Sequence, residues 1–116
     1  MTAKSKARSK PTLHITKARL AEMIEEATVD AYDESEQVMG WSTMFDEHLE
    51  LPFDTEVLGV SVRVTRIEHR DDDRLVAICT RGRARQAIAL ADLPLPTPRP
   101  PGAEWIEAYR RWAGAP

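Results

Sequence analysis

The sequence predicts an α+β fold: two N-terminal acidic helices packed on a small antiparallel SH3-like β-barrel, with a short C-terminal helix. Three observations predict it. Apolar residues recur at helical spacing from Leu20 to Leu49. From Val60 to Leu90 they fall in short runs of strand type separated by polar turns. Beyond a proline-rich stretch, an aromatic stripe returns to helical spacing near the C-terminus. A chain of 116 residues is long enough for one domain with a modest core. We assign that domain to residues 16–116 and read residues 1–15 as a disordered basic tail.

The tail carries Lys4, Lys6, Arg8 and Lys10 among Ser, Ala, Thr and Pro. It has no apolar stretch, so it cannot bury enough surface to offset the entropy of ordering it, and it does not read as a secretory signal. Thr16 is placed to cap the first helix. Leu20, Met23, Ile24 and Ala27 lie on one face at i, i+3, i+4 and i+7, and Glu22, Glu25 and Glu26 lie on the other. A second helix starts at Asp33, which has capping-box spacing to Glu36. Val38, Trp41, Phe45 and Leu49 form its apolar stripe. Gly40 within it lowers helix propensity by about 1 kcal/mol, and Pro52 closes it because the residue before proline avoids helical backbone.

The period then changes. Val60, Val62 and Val64 alternate with polar residues, and Ile67 breaks the alternation by one position, as a bulge would. Arg70 to Asp73 is a polar turn, Leu75 to Thr80 a strand, Arg81 to Arg83 a turn, and Gln86 to Leu90 a strand. Three or four short strands with tight turns suggest the small barrel. Residues 94–101 contain five prolines and form an extended connector. Glu104 to Ala113 is the closing helix, with Trp105, Tyr109 and Trp112 on one face.

Charge is distributed unevenly. Twelve acidic residues and no Lys or Arg lie between Glu22 and Glu56. Residues 1–21 hold six bases and no acid, and residues 57–116 hold ten bases and seven acids, so the net charge of −3 is the sum of +6, −12 and +3. Like charges packed into one segment oppose folding, and a hard divalent cation held by carboxylate oxygens relieves that repulsion. Calcium takes six to eight oxygens from carboxylates, carbonyls and water. The acids have two centres: Asp30, Asp33, Glu34 and Glu36 around the turn between the helices, and Asp46, Glu47 and Glu50 near the end of the second helix. Read singly, each is a solvated helix face or a cap. Read together, they are candidate metal ligands. Gln37 offers a side-chain carbonyl or a further cap.

Other chemistries find little support. The EF-hand loop needs acids at positions 1, 3 and 5 and Gly at 6. From Asp30 those later positions include Tyr32 and Ser35, and from Asp71 position 6 is Val76. Asp71 to Asp73 read as a solvated turn between Arg70 and Arg74. His14, His48 and His69 are far apart, and one cysteine, Cys79, excludes an internal disulfide and a multi-thiolate zinc site. Cys79 in an apolar run reads as buried and inert. No phosphate-cradling glycine loop or catalytic set is visible, so the chain is not expected to be an enzyme. Arg81, Arg83 and Arg85 form a basic edge that the acidic half disfavours as a nucleic-acid site. No apolar run is long enough for a membrane span, and no membrane partner is expected.

Residues 29–53, VDAYDESEQVMGWSTMFDEHLELPF, resemble the signature of the cyanobacterial calcium-binding protein family and its bacterial relatives. The matching residues are Val29, Asp30, Ala31, Tyr32, Glu36, Gln37, Met39, Gly40, Trp41, Glu47, Leu49, Pro52 and Phe53. The segments Val57 to Val60, Leu75 to Ala77 and Ala87 to Leu93 are also similar. The resemblance implies a small cytoplasmic calcium binder without EF-hands, with acidic ligands on its helical half and a role in buffering free calcium. The chain departs from that pattern in its basic tail, its Arg-rich strands, and Ser42 to Phe45, where aromatic residues often follow Trp41. The expected function is therefore reversible Ca2+ binding, as buffer or sensor, by Asp30, Asp33, Glu34, Glu36, Asp46, Glu47 and Glu50. The rival is an SH3-like module that binds a protein or nucleic acid, its acids serving only solubility.

Overall fold

The computed structural model describes residues 15–114. Residues 1–14, which make up all but one residue of the predicted tail, lie outside the described residues. Three α-helices and four strands follow in the order α1 (Lys17–Thr28), α2 (Glu34–His48), β1 (Phe53–Val57), β2 (Val60–His69), β3 (Leu75–Arg81), β4 (Ala84–Ala89) and α3 (Glu104–Ala113). A short 3-10 turn, Leu90–Asp92, follows β4.

The predicted caps form. The Thr16 hydroxyl accepts from the Arg19 amide at 3.0 Å. Asp33 and Glu36 make the reciprocal capping box of α2. The apolar stripes also bury as their spacing implies: Met23 and Ala27 on α1, and Val38, Trp41, Phe45 and Leu49 along α2, are core residues. Gly40 has a second role beyond its low helix propensity. A Cβ built there would lie 1.9 Å from the Ala27 carbonyl oxygen. The bare α-carbon is what lets α2 lie this close to α1.

The strands form an antiparallel meander in the order β1-β2-β3-β4. The expected bulge is present as a register shift between Val64 and Arg66, which returns Ile67 to a position opposite Ala77. β1 was not foreseen as a strand. Its signal is the alternation of Phe53, Thr55 and Val57 with Asp54 and Glu56, ended by the Leu58-Gly59 turn. The last strand begins at Ala84 and ends at Ala89, and Leu90 enters the 3-10 turn.

The predicted SH3-like barrel is corrected to an open sheet. The strand order is linear, with β1 and β4 at opposite edges. The helices remove the need for closure: Val64, Leu75, Ala77 and Cys79 share one buried cluster with Trp41, Phe45, Trp105 and Tyr109, so helices cover the apolar face of the sheet. Trp41 lies at the centre of that cluster, with its ring 6.4 Å from Trp105, 5.7 Å from Tyr109 and 5.9 Å from Trp112. The proline-rich connector is tied down on the way to α3. The buried Thr55 hydroxyl donates to the Pro94 carbonyl at 2.8 Å, and the Glu50 amide donates to the Pro101 carbonyl at 3.0 Å. Among the described residues no helix is long and apolar enough to cross a membrane.

Gly40→Ala tests the helix contact. In an isolated helix the change is favourable by about 1 kcal/mol. Here the methyl meets backbone that cannot rotate away, and overpacking of this kind costs about 1–3 kcal/mol. The expected net result is a lower melting temperature by circular dichroism. A higher one would show that the two helices separate without loss.

Candidate functional site

The first acidic centre lies where α1 turns into α2. Asp30 follows the end of α1 with φ +60°, a left-handed conformation that Asp adopts more readily than most residues. Asp33 is the N-cap of α2, and its Oδ1 accepts from the Glu36 amide at 2.8 Å. Glu36 Oε1 accepts from the Tyr32 amide at 2.8 Å and from the Asp33 amide at 3.3 Å. One oxygen of each of these two carboxylates is thus committed to the helix start, where the macrodipole also favours negative charge. Glu34 occupies the first turn and is exposed.

The second centre lies at the other end of α2. Asp46 and Glu47 are exposed in its last turn, and Glu50 is exposed just beyond. At about 1.5 Å per residue, Asp46 lies roughly 18 Å from Glu34 along the helix axis. One ion cannot take ligands from both centres. The seven predicted residues therefore fall into two groups: Asp30, Asp33, Glu34 and Glu36 in one, and Asp46, Glu47 and Glu50 in the other. Among the described residues, no three His, Cys, Asp or Glu side chains converge tightly enough to hold a metal as they stand.

One acid that sequence reasoning set aside joins the first centre. Asp73, at the tip between β2 and β3, lines the same cleft of about 560 Å³ as Asp33, Glu34 and Gln37. The Asp triplet was visible in the sequence, but nothing local distinguishes Asp73 from its neighbours, and only the β2–β3 register brings it to α2. Asp73 also takes a left-handed backbone, with φ +59°, and its Oδ1 lies 3.1 Å from His69 Nε2. The cleft wall is aromatic, built from Tyr109 and Trp112 of α3. Burial pushes the Tyr109 hydroxyl above the usual range. Arg74 lines the cleft too, with its Nε held 2.8 Å from Asp72 Oδ2.

Several arginines of the sheet pair with neighbouring acids on its surface. Glu68 receives Arg66 at 2.5 Å, with Arg70 at 3.4 Å and Arg85 at 3.8 Å. The Arg66 hydrogen bond, reinforced by the three guanidinium charges, holds the Glu68 carboxyl below the usual range. Arg63 does the same for Asp54 across β1 and β2.

The chain matches the sequence profile of a family described as calcium binding over residues 21–113. Among solved structures, it resembles the crystal structure of Anabaena CcbP with a TM-score of 0.63 and 20% identity, over 90% of this chain and 95% of that chain. No curated protein matches it.

Cys79 is buried on β3, and burial pushes its thiol above the usual range, opposite to the direction of an activated nucleophile. The native protein is expected to resist thiol reagents at neutral pH and to react fully in denaturant. Rapid native labelling would show that β3 opens.

Proposed function

The chain belongs to the CcbP calcium-binding family, and on that premise we propose that it binds Ca2+ reversibly, as a binding protein and not as an enzyme. The match across residues 21–113 carries this reading. The charge pattern supports it independently, with twelve acids and no Lys or Arg from Glu22 to Glu56. The donors are hard carboxylate and amide oxygens, the set that calcium prefers.

We place the principal site at the cleft end of α2. Asp30 and Glu34 are exposed and have rotamer freedom to turn toward an ion. Asp33 and Glu36 each keep one oxygen beyond the capping box, and Asp73 and Gln37 approach from the cleft walls. The capping box then serves two purposes: it fixes the helix start and presents the remaining oxygens on a rigid base. Asp46, Glu47 and Glu50 form a second, weaker locus at the far end of the helix, with fewer carboxylates in reach of one point. The rival reading, an SH3-like interaction module, loses its architectural basis because the sheet is open.

Calcium at 100 times its dissociation constant is expected to add about 2.7 kcal/mol of stability, on the order of 10 °C in melting temperature for a domain of this size. Magnesium should do less because it needs a tight octahedron and dehydrates reluctantly. A shift no larger than that from sodium chloride at matched ionic strength would overturn the reading. To locate the site, Asp30→Asn, Glu34→Gln and Asp73→Asn together remove three charges without changing shape, and Asn tolerates the left-handed backbone at both Asp positions. Calorimetric affinity should fall by at least about tenfold, or 1.4 kcal/mol. Asp46→Asn with Glu47→Gln should change it much less. The reverse ranking would move the site to the C-terminal end of α2. The optical reporter is Trp112, which lines the cleft, since Trp41 is fully buried.

A further inference from the structure

We propose that the cleft of one molecule receives the Leu58 hairpin end of a second copy, so that the chain associates head to tail. The first observation is Leu58 itself. It is 98% exposed and sits at φ +52° beside Gly59 at φ +78°. A two-residue hairpin turn with both residues at positive φ ordinarily holds Asn-Gly or Asp-Gly. A branched apolar residue is strained there, and in its own molecule Leu58 gains no burial in return. Val60, the next residue after the turn, is also exposed.

The second observation is the charge beside this knob. The antiparallel register of β2 and β3 brings the Gly82 turn to the same end of the sheet. Arg81 Nη1 donates to the Ser61 carbonyl at 3.0 Å, tying the two turns together, and Arg83 is exposed. This end of the sheet therefore presents an apolar side chain together with two guanidiniums and one exposed carboxylate, Glu56, which pairs with Ser61 in the β1–β2 register, so its net charge is positive.

The complementary surface lies at the other end of the same sheet. The cleft of about 560 Å³ has an apolar wall of Tyr109 and Trp112 and a rim carrying Asp33, Glu34 and Asp73. It is wide enough for a leucine side chain, and its rim has the opposite charge to Arg81 and Arg83. Arg74 in the cleft is offset by Asp72. The knob cannot reach this cleft within one molecule. The ten residues of β2 separate them, roughly 30 Å at about 3.3 Å per residue. The contact must join two molecules through different surfaces, and made in one direction, head to tail, it leaves a free knob and a free cleft at the ends, so growth does not stop at two copies.

Sedimentation velocity of the full chain in EDTA, from about 10 μM to about 1 mM, spans the affinities of weak contacts of this kind. The inference shares a cleft with the calcium reading, but EDTA makes the test independent of it: calcium binding without association sinks only this proposal, and association without calcium binding sinks only the other. The average mass should rise with concentration past that of a dimer and fall with added salt, since the rim contacts are screened. Leu58→Asn gives the turn its preferred Asn-Gly, so the fold is kept, and association should weaken at least about tenfold. Glu34→Arg on the rim should weaken it similarly. Each variant alone is then monomeric at the concentrations where the wild-type chain first associates. Mixed, they should form a dimer that does not grow, because one keeps an intact cleft and the other an intact knob. A wild-type chain that stays monomeric throughout, a Leu58→Asn chain that associates like wild type, a two-fold dimer indifferent to Glu34→Arg, or a mixture that gives no dimer would each overturn the proposal.

Discussion

The indole of Trp41 holds the helices and the sheet in one arrangement. It is fully buried and meets Phe45 of its own helix and Trp105, Tyr109 and Trp112 of α3. Among the described residues its Nε1 has no hydrogen-bond partner, and a buried donor left unpaired costs about 1–3 kcal/mol, which the surrounding aromatic contact must exceed. Because α3 is fixed through this ring, Tyr109 and Trp112 stand beside the start of α2, and the cleft has a wall. Because α2 is fixed, its acidic first turn faces the β2–β3 tip. The candidate site is therefore a consequence of packing in the core, and the side chains that shape it are mostly not the ones that would touch an ion.

Periodicity in the sequence disclosed the helices with little loss. Both N-caps, the stripe from Val38 to Leu49 and the closing helix from Glu104 to Ala113 were legible because each depends on neighbours within a few residues. Closure of the sheet was not legible. Whether a meander curls into a barrel or stays open depends on what covers its apolar face, and that is decided by α2 and α3 from distant parts of the chain. β1 was missed because the acids Asp54 and Glu56 were read as part of the charge run and not as the solvent side of a strand.

The acidic segment shows a similar limit. Counting its charges revealed the unusual electrostatics but could not separate a carboxylate that caps a helix from one free to bind an ion. Asp33 and Glu36 do the first with one oxygen each. Nor could sequence separation show that Asp73, nearly forty residues from Glu34, belongs with it while Asp46, twelve residues away, does not. The rigid rise of α2 and the strand register decide that point.

The meander has a kinetic meaning as well. Each strand pairs with the one that precedes or follows it, so the sheet can zip up through short loops with little chain entropy to overcome at any step. The aromatic core is different: Trp41 waits for partners that lie beyond the proline-rich connector. During synthesis α1, α2 and the whole sheet leave the ribosome before α3 does, and until α3 arrives the Trp41 ring lacks Trp105, Tyr109 and Trp112 and the apolar face of the sheet is only partly covered. Docking of α3 is thus the step that completes the cover over Trp41 and ends that exposure to aggregation.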